Sequence, residues 1–444
     1  MKHPLILCTL LLFAACGCSP QHGAPSPRIA ERIAVDSVPA DFPVEFALFS
    51  RQGRQVAAYY DVDHQMTLAL RTHGSDSWQR AKLPSFVPWD SHNYLALHID
   101  EAGYIHLAGN MHSDSLQYFR SAQPYDIATM QRLPMVGREE DVTTYPVFMR
   151  SPSGELIFHY RYGRSGNGYE IYNVWDSAAG AWQRMSDRPL IDGQGERNAY
   201  MEGPTAGPDG YWHLIWVWRE TPDCSTNHTL SYARSRDLVH WESIGGTPVG
   251  QPILLRDSVL YVDDIPERGG LINGGAKLGF DDRQRPVIAY HKFDPQGNTQ
   301  LYLTRYEEGA WRSVQQTDWE YRWDFSGWGS IDFELTVEPP FLTDDGRIAI
   351  EFDRRGLGKR RLTSDAATLQ PFGDQPQPAR WPEEIAAIRS DFEGMMLHAV
   401  VAGGEASGGT TMLLRWETLP PNRDRRRTDE VPTTTLLELY TLER

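Results

Sequence analysis

Short, mostly apolar runs broken by glycine- or aspartate-bearing turns set the character of this chain. The most developed pattern is SHNYLALHIDEAGYIHLAGNMH, from Ser91 to His112. Tyr94, Leu95, Leu97 and Ile99 form one apolar run, and Tyr104, Ile105 and Leu107 form the next. Asp100-Glu101-Ala102-Gly103 lies between them. The pattern predicts two strands joined by a tight turn, a hairpin that brings His92 and His112, at its outer ends, to one place.

The same unit recurs. A turn, an apolar strand, a second strand and a Trp-bearing segment follow Gly53 (to Trp78), Gly103, Gly154 (to Trp182), Gly210 (to Trp241) and Arg283 (to Trp311). Shorter versions follow Gly346 (RIAIEFDRR) and Gly394 (MMLHAVVAGG, then TTMLLRWETL). Seven such units predict an all-β, seven-bladed β-propeller. Helices are excluded because 38 Gly and 30 Pro interrupt every run before several turns can form. Ile33–Phe49 and Thr433–Tyr440 are expected to complete one shared blade, which closes the ring and removes exposed sheet edges. Residues 31–444 then form a single domain, with function at blade rims around the centre.

Composition changes the picture in three ways. A load of 14 Trp, 20 Tyr and 16 Phe suits a β-rich fold and a carbohydrate-binding protein alike. A formal net charge of −16 excludes nucleic acid as a partner and requires any polyanion to find a local basic pocket. Residues 1–15 read as a signal segment, with an apolar core too short to span a membrane, ending in Phe13-Ala14-Ala15-Cys16. That ending resembles a bacterial lipobox, with Cys16 as the acylated residue and Cys18 as the alternative. Residues 16–30 are expected to be a flexible tether. The expected location is an exported lipoprotein in the periplasm or at the outer membrane or cell surface. Such a protein touches the membrane only through its lipid and is expected to be a monomer. Cys224 is the one cysteine beyond this segment, so no disulfide forms within the domain.

Candidate chemistry begins with His92 and His112, flanked by Asn93 and Asn110 as candidate substrate-binding residues. His98 and His106 lie inside the strands and read as packing residues. In the next unit a turn at residues 151–154 places Tyr145 (TTYP) and Arg161 (HYRYG) at neighbouring strand ends. A guanidinium among aromatics calls for an anionic partner: a structural carboxylate, or a substrate carboxylate or sulfate. Two imidazoles, a phenol and a guanidinium suit β-elimination next to a uronate. Arginine offsets the charge developing on the carboxylate, one group removes the C5 proton, and another protonates the leaving oxygen. Hydrolysis would instead need two carboxylates across the bond, and no such pair stands out. His213, Cys224, His228 and His291 are candidate ligands of a structural zinc, the alternative being a buried thiol with separate histidines. Arg219, beside Glu220, is a candidate substrate-side residue.

SHN…IDEAGYIHLAGNMH, TYPVF…FHYRYGRSGNG, HLIWVWRETPDCSTNH and YHKFDPQGNTQLY resemble the BNR-repeat seven-bladed propellers that include the ulvan lyases. The resemblance is densest from Ser91 to Trp311. It implies a catalytic centre of His92, His112, Tyr145 and Arg161; His92 or Tyr145 is expected to serve as base or acid, with Tyr145 the main proton donor and Arg161 the carboxylate neutraliser. It also implies a structural zinc and an anionic substrate, the sulfated rhamnose–uronate polymer ulvan. Related propellers include rhamnosidases, so a rhamnosidase acting on rhamnose–glucuronate linkages and a non-catalytic glycan-binding lipoprotein stand as alternatives.

Overall fold

The computed structural model describes residues 27–443, apart from 152 and 406–408. The expected signal segment, the lipidation site Cys16 and the tether up to residue 26 lie outside the described residues.

Seven sheets follow one another along the chain, antiparallel except where Gly403–Gly404 adds parallel to the first strand of the first sheet. Blades 1 to 6 span residues 47–86, 95–133, 143–184, 198–263, 276–315 and 335–376. Blade 7 combines strands Met396–Val401, Thr410–Thr418 and Thr434–Glu443 with the amino-terminal strand Arg28–Pro39. First strands of successive blades touch one another, as in blades 1 and 2, 2 and 3, and 4 and 5, so they line the centre. This is the seven-bladed β-propeller that the repeats predict.

Each inner strand is sandwiched between two neighbouring sheets, so it buries both faces. Arg54–Tyr60 (RQVAAYY) therefore reads as a nearly continuous apolar run, buried from Gln55 onward. The core lies between blades. Tyr59 and Leu68 of blade 1 pack with Leu97 and Ile105 of blade 2 and with Trp416 and Leu439 of blade 7. Ala108 and Tyr118 of blade 2 meet Phe158 and Tyr160 of blade 3. Ile157 and Tyr172 of blade 3 meet Trp216 and Trp218 of blade 4.

In the first six units the repeat turn separates the first and second strands of a blade. Gly103 has φ +87°, and a Cβ there would run into the ring of Tyr125, so only glycine fits this turn. The seventh unit is offset: Gly394 precedes the first strand, which begins at Met396.

The ring closes in blade 7, where Arg28–Pro39 pairs antiparallel with Thr434–Glu443, Ile33 opposite Leu439. The expected closing segment Ile33–Phe49 is corrected. The strand ends at Pro39, and Ala47–Arg51 opens blade 1 instead. Pro39 and Pro43 have no N–H to give a ladder, which ends the pairing there. The expected tether is also shorter, because Arg28 and Ile29 already pair with Glu443 and Leu442.

Candidate functional site

His92 sits in the loop entering blade 2, and His112 begins a short strand, His112–Asp114, that adds to the inner edge of blade 3 opposite Thr144. Asp90 joins them. Its Oδ1 accepts from the His92 backbone N–H at 2.9 Å and from His92 Nδ1 at 2.7 Å, and its Oδ2 accepts from His112 Nδ1. The two rings stack with centroids 4.1 Å apart. With both Nδ1–H groups directed at one carboxylate, each imidazole keeps its Nε2 for other work. Burial opposes the charge on Asp90, but the hydrogen bonds from His112 and His92 outweigh it and hold the carboxyl well below its ordinary range. Burial pushes His112 below its ordinary 6.5, and the neighbouring His92 adds to this, while Asp90 restores only part of the loss. His112 is thus a neutral base near pH 7.

Tyr145 reaches the same place through an irregularity. Blade 3 slips register between Thr144 and Val147, and Tyr145 takes φ +60°, a left-handed conformation unusual for a tyrosine. The bulge puts its ring 6.3 Å from those of His92 and Tyr200 and 6.5 Å from Tyr94. Burial raises the Tyr145 phenol well above 10, and Arg161 and Arg219 offset only part of that rise.

Arg161 is fully buried, with its guanidinium 4.8 Å from the Tyr145 ring and 5.7 Å from the Tyr200 ring. Nη2 donates to Thr144 Oγ1 at 3.0 Å, while Nε and Nη1 find no hydrogen-bond acceptor among the described residues. Among the described residues, Arg161 does not form the structural pair with a carboxylate that the sequence left open. Arg219 stacks on the far side, 5.2 Å from the Tyr200 ring. Burial raises the Tyr200 phenol, but the two guanidinium groups outweigh it and hold the group below 10.

A loop between blades 5 and 6 straps across this face. Gly327 N–H donates to Asp223 Oδ1 at 2.8 Å, and Gly327 O accepts from Cys224 N–H at 2.8 Å. Three residues on, Ser330 Oγ lies 3.3 Å from His92 Nδ1 and also bonds Ser91 Oγ. Ser330 N–H donates to Asp424 Oδ2 at 2.9 Å, and that oxygen is 3.6 Å from His92 Nδ1.

The other expected residues are placed as follows. Asn93 and Asn110 are buried supports: Asn93 Nδ2 donates to Asp90 O, and Asn110 Nδ2 donates to Ser85 Oγ and Phe86 O. Arg219 is in the site but reaches it through Tyr200, its Nε donating to Thr221 O. His98 and His106 are buried within blade 2, as expected, and His106 is held by Tyr118 and Asp100.

The four expected zinc ligands are not brought together. Strands rise about 3.3 Å per residue. His213, near the start of Trp212–Arg219, is therefore about 20 Å from the end of the strand beyond which Cys224 lies. His213 nitrogens are taken by Tyr232 Oη at 2.6 Å and Asp209 Oδ1 at 2.9 Å, and those of His228 by Thr229 Oγ1 at 2.9 Å and Glu220 Oε1 at 2.8 Å. Burial pushes the Cys224 thiol up, against thiolate formation. His291 is held down to about 4 by burial, the Gly270 backbone restoring only part of the loss. These residues do not fit one shared zinc ion as a set of four. Among the described residues, the group of His, Cys, Asp and Glu gathered at ligand spacing is Asp90, His92 and His112, whose donor atoms lie within 4.8 Å of one another. Two imidazole–carboxylate hydrogen bonds already account for that closeness.

Asp90, Tyr200, Ser330 and Asp424 were not singled out from the sequence. Asp90 had a signal: in WDSHN, an Asp two residues before a His can cap that residue's N–H and hold its ring. Tyr200, Ser330 and Asp424 come from distant blades and had none.

The assembled features define a class: a seven-bladed propeller whose centre holds a carboxylate-bridged imidazole pair, a strained tyrosine and a buried arginine that, among the described residues, forms no ion pair. The family model of BNR repeat-containing proteins matches residues 54–319, and the chain belongs to that family. Its fold is that of ulvan lyases. It is similar to the polysaccharide lyase Uly1, at 14% identity and TM-score 0.62, covering 94% of this chain and 99% of that one. It is also similar to a PL25 ulvan lyase bound to GlcA(1-4)Rha3S units, at 12% identity and TM-score 0.61, covering 93% and 96%. Comparison with curated proteins finds no match.

Proposed function

We propose that this protein is a polysaccharide lyase that cuts ulvan by β-elimination at the uronate. The observation that carries the reading is Arg161: a fully buried guanidinium with two nitrogens that no group among the described residues accepts from, beside Tyr145, whose ring lies 6.3 Å from that of His92. A buried cation is stable when an anion meets it, and a uronate carboxylate has the planar shape that a guanidinium binds with two hydrogen bonds. The fold shared with a lyase bound to GlcA(1-4)Rha3S units supports the substrate.

In this reading Arg161 binds the uronate carboxylate and offsets the charge that builds on its oxygens as the C5 proton leaves. His112, kept neutral by burial, takes that proton on Nε2 while Asp90 steadies its Nδ1–H. Tyr145, kept protonated by burial, gives its proton to the departing glycosidic oxygen. The C5–H and C4–O bonds break, and a C4=C5 double bond forms in the uronyl end. His92 shares Asp90 and stands beside Tyr145 as the second proton carrier.

The test is incubation with ulvan and detection of the ultraviolet absorbance of an unsaturated uronate. Released rhamnose without absorbance would favour a rhamnosidase, and binding without products would favour a glycan-binding protein. We also propose export as a lipoprotein acylated at Cys16, supported by the apolar segment before it. A Cys16→Ala chain is expected to leave the membrane fraction, and its retention there would refute the anchor.

A further inference from the structure

Five residues after Pro421 and Asn422 carry four of the chain's arginines: Arg423, Arg425, Arg426 and Arg427, interrupted by Asp424. In a protein of formal net charge −16 such a run stands out, and the fold places it at the candidate site. Asp424 fixes it there, accepting from Ser330 N–H at 2.9 Å and lying 3.6 Å from His92 Nδ1.

The four arginines divide by what they touch. Arg423 Nη1 donates to Ser326 O at 3.1 Å and Trp328 O at 3.2 Å. Arg427 donates to Asp41 O at 3.0 Å and Pro420 O at 2.7 Å. These two hold the loop down. Arg425 and Arg426 are exposed and, among the described residues, form no ion pair at contact distance, although Arg426 is near enough to Asp41 to favour its charged form. Each lies over an indole instead: Arg425 is 5.7 Å from Trp328 and Arg426 is 5.3 Å from Trp89. Trp328 is 62% exposed, so its indole face is open to solvent beside the Arg425 guanidinium. Trp89 is anchored by Phe42 and His64, and it immediately precedes Asp90, the carboxylate that holds both imidazoles.

Sugar rings present an apolar C–H face and, when sulfated or oxidised, an anion at the edge. An indole beside a guanidinium matches both. Consecutive Cα atoms are about 3.8 Å apart, so Arg425 extends directly from the residue that touches His92. We propose that Arg425, Arg426 and Trp328 form a subsite for an anionic sugar of the substrate chain, next to the reacting uronate on the His92 side. The proposal rests on the lyase reading for the identity of the chain, and on this loop alone for the existence of the site. It also answers how a strongly acidic protein engages a polyanion: the global field repels, and a local cationic rim captures.

The test uses the full chain with Arg425→Ala/Arg426→Ala, and separately Trp328→Ala, titrated calorimetrically with ulvan and with chemically desulfated ulvan. A His112→Ala background keeps the polymer intact during titration. Binding of ulvan is expected to weaken roughly tenfold in the double variant, with the difference shrinking at high salt and the melting temperature unchanged. With His112 restored, KM should rise by a similar factor while kcat stays within about twofold. Loss confined to sulfated ulvan assigns the anion as sulfate ester, and equal loss on both polymers assigns it as carboxylate; either supports the subsite. Unchanged ulvan affinity in the double variant overturns it, as does a parent chain that binds no ulvan. A chain that forms no unsaturated product yet loses affinity with the two arginines keeps the subsite and refutes the lyase. An active lyase with unchanged affinity refutes the subsite alone.

Discussion

Arg161 holds a charge at 0% exposure, with Thr144 Oγ1 accepting from it and the Tyr200 phenol beside it, and among the described residues it forms no ion pair with a carboxylate. A buried ion without a counter-ion costs several kcal/mol in most settings, so its place in the fold is best explained by what binds there. Arg161→Ala should therefore separate activity from stability. kcat/KM on ulvan should fall at least about a hundredfold, while thermal unfolding stays level or moves upward. A matching loss of stability would mark Arg161 as a fold residue. His112 gives a pH prediction. Its pKa lies below 6.5, so the neutral base persists under mildly acidic conditions, and kcat/KM should decline only as pH falls through that depressed value. Asp90→Asn removes the charge that pulls this pKa up. The acid limb should then move to lower pH while the plateau rate drops, by about a hundredfold or more. An acid limb that moved upward would contradict the assignment of His112 as base.

At the scale of elements, two strands matter most. Thr143–Arg150 is bulged at Tyr145, and Thr434–Glu443 closes the ring against Arg28–Pro39. Leu439 is fully buried in the core that joins blades 7, 1 and 2. Leu439→Ala should cost about 2–5 kcal/mol, read as a lower urea midpoint with unchanged slope. A loss under about 0.5 kcal/mol would show that closure does not depend on this strand's packing. Much of this level was legible in the sequence. Strand–turn–strand repeats gave seven blades, and the hairpin logic brought His92 to His112 and Tyr145 near Arg161. The bulge was not legible, because a one-residue slip leaves the hydrophobic pattern nearly unchanged while turning a side chain to a new direction. The separation of His213 from Cys224 has a related cause. His213, Cys224 and His228 are close in sequence, yet an extended strand carries its two ends far apart.

The whole molecule supplies what no single unit holds. Ser330 meets His92 across 238 residues of chain and Asp424 across 94, contacts that local pattern cannot encode. The propeller makes them by bringing loops of different blades over one face, so the candidate centre draws on the loop before blade 2, the inner strands of blades 3 and 4, and the straps at 326–330 and 420–427. The central claim is that these parts together perform β-elimination on a uronate. It is tested most directly by following ultraviolet absorbance at an unsaturated uronyl end while ulvan is incubated with the parent chain and with Arg161→Ala. The account predicts steady growth of absorbance with the parent and almost none with the variant, although both remain folded. Equal absorbance from the two chains, or shortening of ulvan by the parent without any absorbance, would contradict it.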